Sequence, residues 1–151
     1  MFALSRKKLK RRIDKEMVAQ SIAAAEQQTS GEIRVSVAPF FWGNVRKVAD
    51  KAFVRLGMSA TRERNGILFF IVPSRRRFAV IGDQGIHEKV GQDFWDKLVV
   101  AMAGDFKQGK FNEGLVRGIS ECGRLLAAHF PYQGEKDVNE LSDDIDFGNK
   151  E

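Results

Sequence analysis

The chain reads as an α/β/α sandwich, with a small mixed β-sheet, made of a parallel pair plus an antiparallel hairpin, and helices on both faces. Three observations carry that reading. The apolar runs at residues 67–72 and 78–81 are uninterrupted, as strands covered on both faces require. The intervening Pro73-Ser74-Arg75-Arg76 is short, which makes those two strands an antiparallel hairpin. An amphipathic helix separates the first strand from the second, so that pair crosses over and runs parallel, with the right-handed crossover expected of such units.

Each element follows from its own pattern. Residues 13–28 read as a helix with Met17, Val18, Ile22 and Ala25 on one stripe, stopped by Thr29-Ser30-Gly31. Residues 32–38 alternate, with Ile33, Val35 and Val37 to one side and Glu32, Arg34 and Ser36 to the other. That is a strand with one more polar face, expected at a sheet edge and ended by Pro39. Val45, Val48, Ala49, Ala52, Phe53 and Leu56 give the strongest helical periodicity in the chain, with Asn44 as N-cap and Gly57 as stop. After the hairpin comes a Gly82-Asp83-Gln84-Gly85 loop. Two further helices follow. Trp95, Leu98, Val99, Met102 and Phe106 stripe the first, up to Gly109; Leu115, Ile119, Cys122 and Leu126 stripe the second, up to Pro131. Beyond Tyr132 no helical stripe continues, and an extended tail is expected.

With 151 residues, 43% hydrophobic and 30% charged, the chain fits one domain with a proper core. The organisation expected is a basic N-terminal arm at 1–13, a domain at 14–132 and an acidic tail at 133–151. No run reaches the roughly 18 apolar residues of a membrane span. The start lacks the apolar core of a signal peptide, so a cytoplasmic protein is expected. The single Cys122 lies in an apolar helical pattern and reads as a buried small residue. The net charge of +5 is unevenly spread. Arg6, Lys7, Lys8, Lys10, Arg11 and Arg12 crowd the arm, which suits an anionic surface. No aromatic residues interleave them for base stacking, which disfavours nucleic acid.

Strand direction decides which residues meet. If the third strand returns antiparallel to the second, its end lies beside the starts of the first and second. That edge gathers Asp83, Glu32, Glu63 and Asn65, with Glu88 or Asp93 arriving from the following segment. Carboxylate and amide oxygens with glycines nearby are hard-cation chemistry, and calcium's irregular geometry suits them better than magnesium's octahedron. The candidate metal ligands are therefore Glu32 and Asp83, then Asn65 and Asp93. The same carboxylates also serve to cap backbone N–H groups or to pair with Arg62 or Arg64. The opposite edge carries Phe40-Phe41-Trp42 and Arg75-Arg76-Arg77, a composition of partner surfaces and anion pockets, with Phe41, Trp42, Arg75 and Arg76 as candidates. Equally, Phe41 or Trp42 packs beneath the next helix while the arginines solvate a turn.

Catalytic signatures are missing. Six positions after Cys122 stands Ala128, so there is no Cys-x5-Arg phosphate loop. Nor is there an Asp-x-Asp-x-Thr nucleophile, a Gly-rich phosphate loop, or a histidine arrangement for zinc around His87 and His129.

Several motifs resemble the TPM domain family, which includes thylakoid-lumen proteins of photosystem II repair and a modulator of acetylcholine receptors. They are Ser30-Gly31-Glu32-Ile33, Asn65-Gly66-Ile67-Leu68, Arg77-Phe78-Ala79-Val80-Ile81-Gly82-Asp83-Gln84-Gly85-Ile86, and Phe106-x4-Phe111-x2-Gly114-Leu115-x2-Gly118-Ile119. Phe130-Pro131-Tyr132-Gln133 and Asp137-Val138-Asn139-Glu140-Leu141 are similar to the endings of its short, unanchored bacterial subgroup. The resemblance spans about residues 14–130. It implies a compact α/β/α domain and divalent-cation binding, and, from one thylakoid member, acid phosphatase activity. Many relatives carry a Gly-Tyr-Gly-Leu-Glu type loop where this chain has Gly82-Asp83-Gln84-Gly85-Ile86-His87-Glu88, so the acidic positions differ.

The leading expectation is a TPM-domain binding module taking a divalent cation, calcium rather than magnesium, at the acidic strand-end site. One alternative is a metal-assisted phosphomonoesterase with Glu32 and Asp83 holding the metal. Another is docking to a protein partner or an anionic membrane through the basic arm and the aromatic loop.

Overall fold

The computed structural model describes residues 13–134 and 145–148. The basic residues of the expected arm and most of the expected tail lie outside the described residues.

In chain order the elements are α1 (Lys15–Glu26), β1 (Glu32–Val37), α2 (Val45–Arg55), β2 (Gly66–Val72), β3 (Arg77–Gly82), α3 (Gln84–Val90), α4 (Gln92–Lys107) and α5 (Phe111–His129). The sheet runs β1-β2-β3. The first pair is parallel, with Ile33 opposite Ile67, and the second antiparallel, with Phe69 opposite Val80. The expected mixed sheet is therefore present, and so are helices on both of its faces.

The two faces are unequal. Ile33, Val35, Val37, Ile67, Phe69 and Ile71 point into one core, which Val18 and Ile22 of α1, Trp95, Leu98 and Met102 of α4, and Leu115, Ile119 and Cys122 of α5 complete. Leu68, Phe70, Val72, Ala79 and Ile81 face the other way, onto Ala49, Ala52 and Phe53 of α2 and onto Met58. β2 is buried along its whole length because both layers rest on it. That is the physical content of its unbroken apolar run.

Caps fix the helix starts. Asp14 accepts from Met17 N at 3.0 Å, and Asn44 accepts from Arg46 N at 2.8 Å and Lys47 N at 3.3 Å. Gly57 then ends α2 at φ 74°, a conformation glycine adopts at no steric cost.

Three expectations need correction. Met17 is exposed, because it lies about 100° of helix rotation away from its neighbour Val18. The inward stripe of α1 is Val18, Ile22 and Ala25. Gly82-Asp83-Gln84-Gly85 passes from the end of β3 straight into α3 rather than forming a loop: Asp83 is the N-cap of α3, accepting from Gln84 N at 2.8 Å. Finally, β1 is an edge in the strand order, but Glu32 and Ser36 on its polar face are buried. Residues 145–148 lie along that edge, and Ser36 bridges to Asp146.

Candidate functional site

Two ends of the sheet concentrate polar chemistry. β3 finishes where β1 and β2 begin: Asp83 N donates to Gly66 O at 2.9 Å, and Glu32 N donates to Asn65 O at 3.4 Å. Glycines permit the close approach there. A β-carbon on Gly82 would lie 2.3 Å from the Trp95 ring, and one on Gly85 would lie 2.2 Å from the Glu63 carbonyl oxygen. Glu32, Asn65 and Asp83 consequently stand at one edge, all of them buried.

Their roles differ. Asp83 is engaged by Arg64 through two parallel hydrogen bonds, Nε to Oδ2 at 2.8 Å and Nη2 to Oδ1 at 2.9 Å. By hydrogen bond and then by charge, Asp83 raises the pKa of the Arg64 guanidinium above its already high value. Arg64 reaches it from a left-handed backbone, φ 52°. Asp83 thus takes the capping and pairing role that was open to it.

Asn65 is only 1% exposed, and its Oδ1 has no hydrogen-bond partner among the described residues. Its Nδ2 makes long contacts of 3.5 Å to Ser30 Oγ and Glu63 Oε2, while Ser30 Oγ donates to Glu63 Oε2 at 2.8 Å. Thr61 Oγ1, four residues earlier in the same loop, is a second buried oxygen without a partner among the described residues. A buried unmet acceptor costs stability, so such a group asks for an explanation, an unseen ion among them. Glu63 was placed at this edge from the sequence but not chosen as a ligand, and Ser30 was not placed there; the folded loop sets both beside Asn65.

Asp93 is exposed in the first turn of α4, about 200° of helix rotation from Trp95, the side chain of that turn packed against Gly82. Glu88 lies exposed on α3, accepting from Gln84 Nε2 at 3.0 Å. Among the described residues no three His, Cys, Asp or Glu side chains are grouped closely enough to hold a metal ion. What the loop offers around Asn65 is a mixed oxygen set: the Glu63 carboxylate, the Asn65 amide and the Ser30 hydroxyl.

The other end of β2, roughly 20 Å away for a strand of this length, is basic and aromatic. Phe41 is buried in the α2 core and carries Arg75, whose guanidinium sits 5.0 Å above its ring and donates to its carbonyl at 3.1 Å. Trp42 is 82% exposed and meets the half-exposed Phe40 edge to face at 5.8 Å. Beside the hairpin turn opens a cleft of about 770 Å³ between the turn and the end of α4. Phe78, Phe106 and Phe111 line it, with Arg76, Arg77 and Lys107. The last three make no ion pair among the described residues. Phe41 therefore has the packing role that was open to it, and Trp42 and Arg76 are on the surface.

His87 and Cys122 have structural surroundings. His87 Nδ1 accepts from Trp95 Nε1 at 3.0 Å, which ties α3 to α4. Burial pushes the pKa of the Cys122 thiol up, with the Glu121 charge adding to it, so the thiolate needed for reactivity is suppressed. Among the described residues no helix is long and apolar enough to cross a membrane.

Residues 8–125 match the family model described as the TPM domain. Among solved structures, the BA42 protein from the psychrophilic bacterium Bizionia argentinensis is 37% identical. It covers 89% of this chain and 92% of its own, with a TM-score of 0.82. The N-terminal domain of a protein from P. gingivalis shares the fold at 17% identity, covering 74% of this chain and 72% of its own, with a TM-score of 0.61. No curated protein matches the chain.

Proposed function

The chain belongs to the TPM domain family, and on that premise we propose that it is a binding module whose strand-start edge takes up a divalent cation. The observation that carries this reading is the buried, unmet Oδ1 of Asn65 beside Glu63 and Ser30. Asn65 Nδ2 stands 3.5 Å from Glu63 Oε2, an orientation that suits a carboxylate facing an amide alone. A cation reverses that preference: Asn65 Oδ1 and the Glu63 carboxylate then both point at it, and Ser30 Oγ and loop carbonyls add oxygens. Glu32 and Asp83 border this set, with Asp83 held in reserve by Arg64. Calcium suits irregular, mixed oxygen donors better than magnesium, and a site with so few carboxylates has modest affinity. The cytoplasmic placement belongs to the same proposal, since a single buried thiol fits a reducing compartment.

The test is thermal unfolding of chelator-stripped protein against calcium, with magnesium as control. At ten times the dissociation constant, binding adds about 1.4 kcal/mol, and Glu63→Gln or Asn65→Leu should abolish the gain. Equal melting curves with and without millimolar cation would dismiss the reading. No observation favours phosphomonoester hydrolysis: the basic cleft lies at the far end of β2, and Arg64 is committed to Asp83.

A second reading rests on the exposed Trp42 and Phe40 and on the cations around the cleft. We propose that this end docks on an anionic surface, with the basic arm adding charge. Pelleting with phosphatidylserine vesicles that weakens steeply with salt, and is lost in Trp42→Ala, is the expected result. Absence from the pellet at low salt would exclude it.

A further inference from the structure

The cleft beside the hairpin turn, about 770 Å³, has the size of a small-molecule site. Half-buried rings build its floor. Phe106 and Phe111 stack at 5.0 Å with 24° between their planes, and Phe78 meets Phe106 edge to face at 4.9 Å. Stacked and edge-to-face pairs are the attractive arrangements of aromatic rings, so a further flat ring extends this array favourably. The rim is cationic. Arg76 and Arg77 come from the turn and Lys107 from the last turn of α4, all exposed and none in an ion pair among the described residues. By contrast, Arg46, Arg55, Arg64, Arg117 and Arg124 each find a carboxylate. Asp105, close to Lys107 in the chain, is committed to Arg117 at 2.9 Å. Arg76 also stands at φ 51°, a left-handed backbone that strains a non-glycine residue.

Exposed cations alone assign nothing, because water solvates them. One sign of charge around an apolar cleft says more, because low-dielectric walls focus the field into it. We propose that the cleft binds a small molecule with a flat aromatic body and a carboxylate head. The body lies against Phe106 and Phe111, and the head meets Arg76 and Arg77, whose planar guanidiniums match a carboxylate. Lys107 adds charge from the opposite side of the turn. The site goes beyond docking on a surface, since the ligand enters a cleft that neither Trp42 nor Phe40 lines. The basic residues at 6–12 carry the rim's own sign, so an anion is its complement and the arm is not.

The experiment titrates the full chain with naphthalene carboxylate, followed by two-dimensional amide NMR. Calcium is left out, so failure here is distinct from failure at the strand-start edge. Saturable shifts at residues 76–78 and 106–111 are expected. The uncharged naphthalene carboxamide should bind at least tenfold more weakly, and so should the carboxylate to a chain with Arg76→Ala and Arg77→Ala together. Ala103→Leu narrows the cleft from α4 and should weaken binding at least tenfold with the rim intact. If that variant does not fold, the exposed arginine pair carries the same reading. No saturable shift at millimolar carboxylate, equal binding of the carboxamide, or tighter binding of unbranched nonanoate would overturn the proposal. So would binding to phosphatidylserine vesicles without any carboxylate-induced shift, since the rim would then serve a lipid surface.

Discussion

The two ends of β2 hold comparable numbers of charged and polar groups and use them in opposite ways. At its start, Asp83, Asn65 and Glu32 are buried, Arg64 clasps Asp83, and glycines press backbone against backbone and ring. At its end, Arg76 and Arg77 are exposed around an aromatic floor, without ion pairs among the described residues. Burial, rather than composition, separates the two. A buried polar group must find a partner or be costly, whereas an exposed arginine is solvated whether or not anything binds it. The unmet Asn65 oxygen is therefore informative in a way that the exposed Arg76 and Arg77 are not.

Breaking the buried end should have the largest effect. Gly85→Ala forces a methyl group into the Glu63 carbonyl, and a loss of about 3 kcal/mol in urea unfolding is expected, at the upper end of overpacking costs. Asp83→Ala removes the α3 cap and should cost about 1 kcal/mol through that alone. Asn65→Asp sharpens the contrast instead. It should lower stability without cation, by burying a charge beside the exposed Glu63 carboxylate, and enlarge the gain on adding calcium. At the other end, Arg76→Ala with Arg77→Ala should change stability by less than about 0.5 kcal/mol while weakening any salt-sensitive association.

Between these extremes stands Asp146. Burial alone would raise its pKa, but hydrogen bonds from Arg55 and Ser36, the Arg55 charge and the Gly148 backbone outweigh burial and hold it below the ordinary carboxylate range. Its contribution is therefore complete above the ordinary pKa and is lost as pH falls through the lower folded value. The Ser36 and Val37 amides should report release of the segment in that acid window, and Asp146→Asn should remove the dependence.

Much of this architecture was legible in advance, for physical reasons. An apolar run buried on both faces, as in β2, and an eleven-residue stripe, as in α2, leave periodicities that little else mimics. The meeting of Glu32, Asn65 and Asp83 followed from strand direction. α3 was not legible, because seven residues with one buried side chain, Ile86, show no period. The Arg64–Asp83 pair was one of the options read from the sequence, but the left-handed backbone at Arg64, a non-glycine residue, was not announced by it. The bridge of Asp146 to Ser36 involves a single alternation at residues 145–147, too short to distinguish from any acidic tail.

The most direct test of the central claim is a calcium titration of chelator-stripped, isotope-labelled protein followed by two-dimensional amide NMR. Saturable shifts centred on Ser30, Glu63, Asn65 and Gly66, with Arg76 and Arg77 unmoved, are the predicted result. Shifts confined to the acidic C-terminal residues, or none at millimolar calcium, would contradict it.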